Sequence, residues 1–129
     1  MAQVKVYGLR SNLPAIRSDL SDAIHESLME AFALPREKRF QRFFALDRDD
    51  FLFPADRSDK YTIVEISVFE GRTPEAKKRL IRALFSRVQA RANVPPQDLE
   101  ITIFETPRSN WGIRGKPGDE LALDYKVNV

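Results

Sequence analysis

The chain has 129 residues, 43% hydrophobic and 31% charged, the balance of one globular domain large enough to build its own core. Its 21 basic and 19 acidic residues leave a formal charge of +2, too even to argue for nucleic acid, although the pI is near 9.0. The absence of cysteine excludes disulfides, thiol catalysis and Cys-ligated metals, and a single histidine, His25, excludes a His-rich metal site within one chain, so no cofactor is expected.

Residues 3–9 alternate apolar and polar, which predicts a half-buried strand. A turn follows, and Pro14 sits where a first helical turn tolerates a missing N–H. Ile16, Leu20, Ile24, Leu28 and Phe32 then recur every four residues, with Ala23 and Ala31 alongside, as in a helix with one core-facing stripe. His25 falls at the edge of that stripe and reads as a surface or hydrogen-bonded histidine. Pro35 ends the helix, and residues 40–46 predict the next strand. Residues 47–60 read as a charged loop around Phe51-Leu52-Phe53-Pro54, whose acidic pairs lack metal-ligand spacing.

The pattern then repeats at an offset of sixty residues without a gap. Val4 falls on Val64, Pro14 on Pro74, Leu20 on Leu80, Ala23 on Ala83, Pro35 on Pro95 and Phe51 on Trp111. Thr62 to Phe69 predicts a more buried, central strand, Thr73 an N-cap, and Ala76, Leu80, Leu84 and Val88 the second helical stripe. Residues 99–105 alternate cleanly as a strand, residues 107–120 form a Gly- and Pro-rich loop around Trp111, and the tail 121–129 alternates weakly, enough for a short strand docked on a neighbour. The whole chain therefore reads as one α+β domain, residues 1–129, of two tandem β-α-β units (about 1–60 and 61–129). They form a four-stranded sheet with two helices on one face. Val64, Ile66, Val68, Ile101 and Ile103 are read as an apolar second face that needs a cover, which argues for oligomerisation. No apolar run reaches the roughly 18 residues that cross a bilayer, and the amino-terminal stretch has no apolar signal region. A cytoplasmic protein with neither membrane nor nucleic-acid partner is expected.

Phe69-Glu70-Gly71-Arg72-Thr73-Pro74-Glu75-Ala76-Lys77, followed by Leu80-Ile81 and, further on, Asn110-Trp111-Gly112-Ile113, resembles the turn, helix start and aromatic loop of the tautomerase superfamily. Ala31-Phe32, Pro35 and Pro96-Gln97-Asp98-Leu99 extend the resemblance over nearly the full length, toward the two-unit branch represented by malonate semialdehyde decarboxylase. The resemblance implies the tautomerase fold, a homotrimer, a small anionic substrate, and an amino-terminal amine acting as base beside arginines that hold a carboxylate.

The chain departs from that pattern at the base itself: Ala2, not proline, follows Met1. Lys38 stands where the branch has an acid, and Glu70 where it has an arginine, which argues against decarboxylation. Two readings of Ala2 stay open. With Met1 removed, its amine, of ordinary pKa about 7.7–8.0, serves as base or Schiff-base former; otherwise Ala2 is the start of an edge strand. Arg72 reads as a carboxylate clamp or as a brace for its own turn through nearby carbonyls. Trp111 reads as a pocket wall or as a packing anchor. Lys38 is retained from the basic cluster Arg36, Lys38, Arg39 and Arg42 because its matched position favours an anionic ligand. An isomerase acting on a small oxo acid through Ala2 and Arg72, a non-catalytic trimeric small-acid-binding or structural protein, and an RNA-binding βαββαβ domain are the functional readings. The strands lack the aromatic signature of the last.

Overall fold

The computed structural model describes residues 1–123 and 125–129. Strand β1 (Ala2–Leu9), helix α1 (Leu13–Phe32) and strand β2 (Gln41–Leu46) make the first unit; β3 (Thr62–Phe69), α2 (Pro74–Ala92) and β4 (Leu99–Thr106) make the second. A two-residue ladder of β5 (Gly112–Ile113) and β6 (Lys116–Pro117) follows. The sheet order is β2-β1-β3-β4, parallel within each unit and antiparallel between β1 and β3. This is the four-stranded α+β sheet that the tandem units predict, and β1 and β3 begin sixty residues apart.

The β1–β3 register shows how the repeat is used. Val4 faces Ile66 and Val6 faces Val64, while Lys5 lies opposite Glu65, its own counterpart in the other unit. The local two-fold axis therefore passes between Lys5 and Glu65. An unchanged repeat would set two like charges face to face there, a destabilising cross-strand pair. Divergence at this point turns it into an opposite-charge pair.

The helices cap as their sequences require. Thr73 Oγ1 accepts from Ala76 N–H at 3.1 Å, as expected, whereas Asn12 makes no side-chain cap. Both helices end in a left-handed residue, Ala33 at φ 54° and Asn93 at φ 56°, two residues before Pro35 and Pro95. Leu20, Ile24, Leu80, Leu84 and Val88 are fully buried against Val4, Val6, Val64, Ile66 and Val68. α1 and α2 also pack on each other, and Glu26 and Glu30 of α1 pair with Arg91 and Arg87 of α2 at the surface.

Three expectations change. Val64, Ile66 and Val68 point toward the helices, with Ile101 and Ile103 packed against the same core. A strand has period two, so the apolar set goes to the face that the crossover helices cover. The open face instead carries Lys5, Tyr7, Arg42, Phe44, Ile63, Glu65, Thr102 and Phe104, a mixed surface with Phe44 stacked on Tyr7 at 5.0 Å. Next, Ala2 starts an interior strand flanked by β2 and β3, not an edge strand. Finally, the tail forms no strand among its described residues, and it docks on its own chain: Thr73 N–H donates to Val129 O at 3.0 Å, and Val127 is buried with Met1 and Phe69. Asp124, within that tail, lies outside the described residues.

Candidate functional site

The candidate residues meet where β1 begins and β3 ends. Antiparallel pairing sets Ala2 opposite Val68, which brings Met1 to the C-terminal end of β3. Met1, Phe69 and Val127 form a buried cluster to which Trp111, Ile113, Leu123 and Tyr125 add partly buried surface. Phe69 meets Trp111 edge to face, with ring centroids 5.0 Å apart. Trp111 therefore packs beside the amino terminus, and it also lines a surface cleft with Asn110, Gly112 and Ile113.

The loop after β4 is built to hold that wall. Arg114 (φ 50°) and Gly115 (φ 83°) make the tight two-residue turn between β5 and β6, the positive-φ pair that such hairpins need. Arg108 Nε and Nη2 both donate to Gly118 O, at 3.1 and 3.0 Å, and its guanidinium lies 5.5 Å from the Phe69 ring centre. A Cβ at Gly118 would fall 2.5 Å from Arg108 O, so only glycine permits this closure.

Beside the wall is a cavity of about 220 Å³, lined by Met1, Lys38, Ile113, Arg114, Leu121, Ala122, Leu123 and Tyr125. At about 30 Å³ per water this is room for roughly seven waters, the scale of a small acid. Lys38 alone of the basic cluster reaches it. Arg39 turns away to Asp22 at 2.7 Å and Arg42 to Gln3 at 3.2 Å.

Arg72 lies behind the same cluster. It is 5% exposed, its Nη1 donates to Phe69 O at 3.2 Å, and its guanidinium sits 4.7 Å from the Phe32 ring centre. Its Nε and Nη2 are buried with no acceptor among the described residues. Burial lowers its pKa to about 10, opposed by Glu105, so it remains a cation at neutral pH. The turn brace foreseen as one reading is thus present, but it uses one nitrogen of three. The tail closes over this turn: Gly71 has φ 129°, and a Cβ there would fall 2.5 Å from Asn128 Oδ1. Arg72 does not line the 220 Å³ cavity.

The repeat supplies an internal comparison. Its counterpart of the Met1 cluster consists of Leu9, Phe51 and Tyr61, with Phe53 packed on them. There Tyr61 takes the place of Met1, and its hydroxyl donates to Glu100 Oε1 at 2.6 Å. Burial first, then Glu100, pushes the Tyr61 pKa up to about 12. Asp98, the counterpart of Lys38, is buried and accepts from Ser58 N–H at 2.8 Å and from the Ser58 hydroxyl. In one copy the tyrosine and the aspartate are hydrogen-bonded. In the other, Arg72 keeps two unpaired donors and Lys38 lines a cavity.

Sequence reasoning missed Tyr125, Leu123 and Arg114 as wall residues and Arg108 as the loop's brace. Weak alternation of the tail was the only available signal for the first two. His25 is buried and donates its Nε2–H to Arg36 O at 2.7 Å, the hydrogen-bonded histidine expected.

A family model described as "Tautomerase enzyme" matches residues 38–114, more than half of the chain. The match opens at Lys38 and includes Arg72 and Trp111, but not Ala2. A probable tautomerase, YusQ of Bacillus subtilis (strain 168), is 26% identical over 97 residues, covering 71% of this chain and 76% of that one. The solved structure of FG41 malonate semialdehyde decarboxylase inhibited by 3-bromopropiolate superposes with a TM-score of 0.76 at 30% identity, over 94% of this chain and 98% of that one. A fused 4-OT wild-type symmetric trimer shares the fold, with a TM-score of 0.78 at 19% identity, over 91% and 96% of the two chains. The repeat, the mixed sheet and the matched turn agree with these findings, and the chain belongs to the tautomerase family.

Proposed function

We propose that the protein is an isomerase of the tautomerase type, moving a proton alpha to the carbonyl of a small carboxylate-bearing oxo acid. The observation that carries this reading is Arg72, a buried cation with two unpaired nitrogens in the turn that the family model matches. A buried guanidinium without acceptors suits a carboxylate that completes it.

Removal of Met1 takes away one wall of the cavity and leaves the Ala2 amine at its edge, with Lys38 across the same space. A cation there favours the neutral amine and attracts the acid. The amine takes the alpha proton, the cations hold the negative charge that develops on oxygen, and the proton returns at the neighbouring position. Lys38 and Glu70, where the decarboxylase branch has an acid and an arginine, favour proton transfer over loss of carbon dioxide. Three copies packed through the open sheet face, with Phe44 and Phe104 38% and 48% exposed, would make the homotrimer; the fused 4-OT structures are trimers.

Ketonisation of phenylenolpyruvate and of a dienol acid tests the activity. Turnover that disappears in Arg72→Ala supports it, and absence of turnover by a protein shown by mass to begin at Ala2 refutes it. A second reading, a trimeric small-acid binder without turnover, is favoured by Met1 itself, which is 8% exposed and fills the cluster that the amine would have to face. Binding of the acids without turnover would select it.

A further inference from the structure

We propose that the Tyr125 hydroxyl is a ligand-binding donor, serving a carboxylate or enolate oxygen of a small acid held in the Lys38 cavity. The proposal rests on the small-acid reading above and adds a residue to that site.

Tyr125 lines the cavity together with Met1 and Lys38, and its ring packs against both the main core and the Met1 cluster. Its hydroxyl is buried and has no hydrogen-bond partner among the described residues. Buried phenols ordinarily find a partner, and one that has none needs a reason. This chain shows the ordinary case in the repeat-related cluster, where Tyr61, the counterpart of Met1, donates its hydroxyl to Glu100 at 2.6 Å. The other orphaned nitrogens are Arg57 Nε, whose guanidinium already pairs with Asp56 and Glu100, and the two of Arg72. Among the described residues, buried side-chain donors with no such compensation are thus confined to the tautomerase turn and the cavity wall. An acid in the cavity supplies the missing acceptor, and Lys38 supplies the charge that brings it there.

Tyr125→Phe deletes only the oxygen. Trp111, the single tryptophan, packs on the same cluster and reports binding by fluorescence; pyruvate and phenylpyruvate are the probes. The expected result is a free protein whose Tm is unchanged or raised, with Kd weakened at least tenfold, about 1.4 kcal/mol. A Tm lowered by several degrees without ligand would mean that the hydroxyl has a structural partner, and would overturn the proposal. Equal Kd for variant and wild type would overturn it while leaving the small-acid reading intact. Failure of the wild type to bind either acid would overturn both.

Discussion

Replacing Arg72 with methionine should make the protein more stable and less active. The guanidinium is almost fully buried, and its pKa falls from the ordinary guanidinium range to about 10 because burial disfavours the charge. At 1.36 kcal/mol per pKa unit, holding the cation there costs about 3 kcal/mol at most. Against this stand one hydrogen bond to Phe69 O, worth about 1 kcal/mol, and the contact with the Phe32 ring, worth about 0.5–1 kcal/mol. Methionine keeps the apolar stem and removes the charge, so the balance favours the variant by about 1 kcal/mol, a Tm rise of roughly 3–5 °C for a chain of this length. The folded-state pKa is lower than the unfolded one. The penalty is therefore fully present at neutral pH and fades only as pH rises from about 10 toward the ordinary guanidinium range. Thermal unfolding of both proteins between pH 6 and 9 should show a constant gap. Turnover of the enol substrate should fall about a hundredfold or more, as for loss of a charged transition-state donor. A variant several degrees less stable would refute the reasoning, because Arg72 would then be a structural brace, not a cation kept for a ligand.

Other outcomes follow from single contacts. If the amino terminus reacts as proposed, mass spectrometry finds a protein beginning at Ala2, and pyruvate with borohydride adds mass to the amino-terminal peptide; a retained Met1 excludes this route. Asp98→Ala strips Ser58 of two bonds to a buried carboxylate and should lower stability by about 2–4 kcal/mol in denaturant titrations, with ligand affinity unchanged. Ala33 holds φ 54° on the surface where Asn93 does the same in the second unit, so Ala33→Asn should raise stability by about 0.5–1 kcal/mol in the same titrations. Light scattering should give three times the 14.9 kDa chain mass, and Phe44→Lys with Phe104→Lys should reduce it to one.

The elements were legible in the sequence because their signals are local. Four-residue spacing, Pro14 and Pro74, Thr73 and the period-two strands each reflect backbone geometry within a few residues, and the sixty-residue repeat carried that reading from one unit to the other. The turn around Arg72 and the loop around Trp111 were found because their residue types persist at matched spacing, and Lys38 because its position matches although its residue type does not. Only tertiary structure decided what these residues do. That the apolar strand face is the covered one depends on where the crossover helices lie, and that Ala2 is interior depends on β1 pairing with β3 rather than with solvent. Arg72 is buried because a tail more than fifty residues away in sequence folds back over its turn. The difference between Tyr61, hydrogen-bonded to Glu100, and Tyr125, unpaired at a cavity, is likewise set by long-range packing. A hydrogen-bond partner is a neighbour in space, and no local period encodes it.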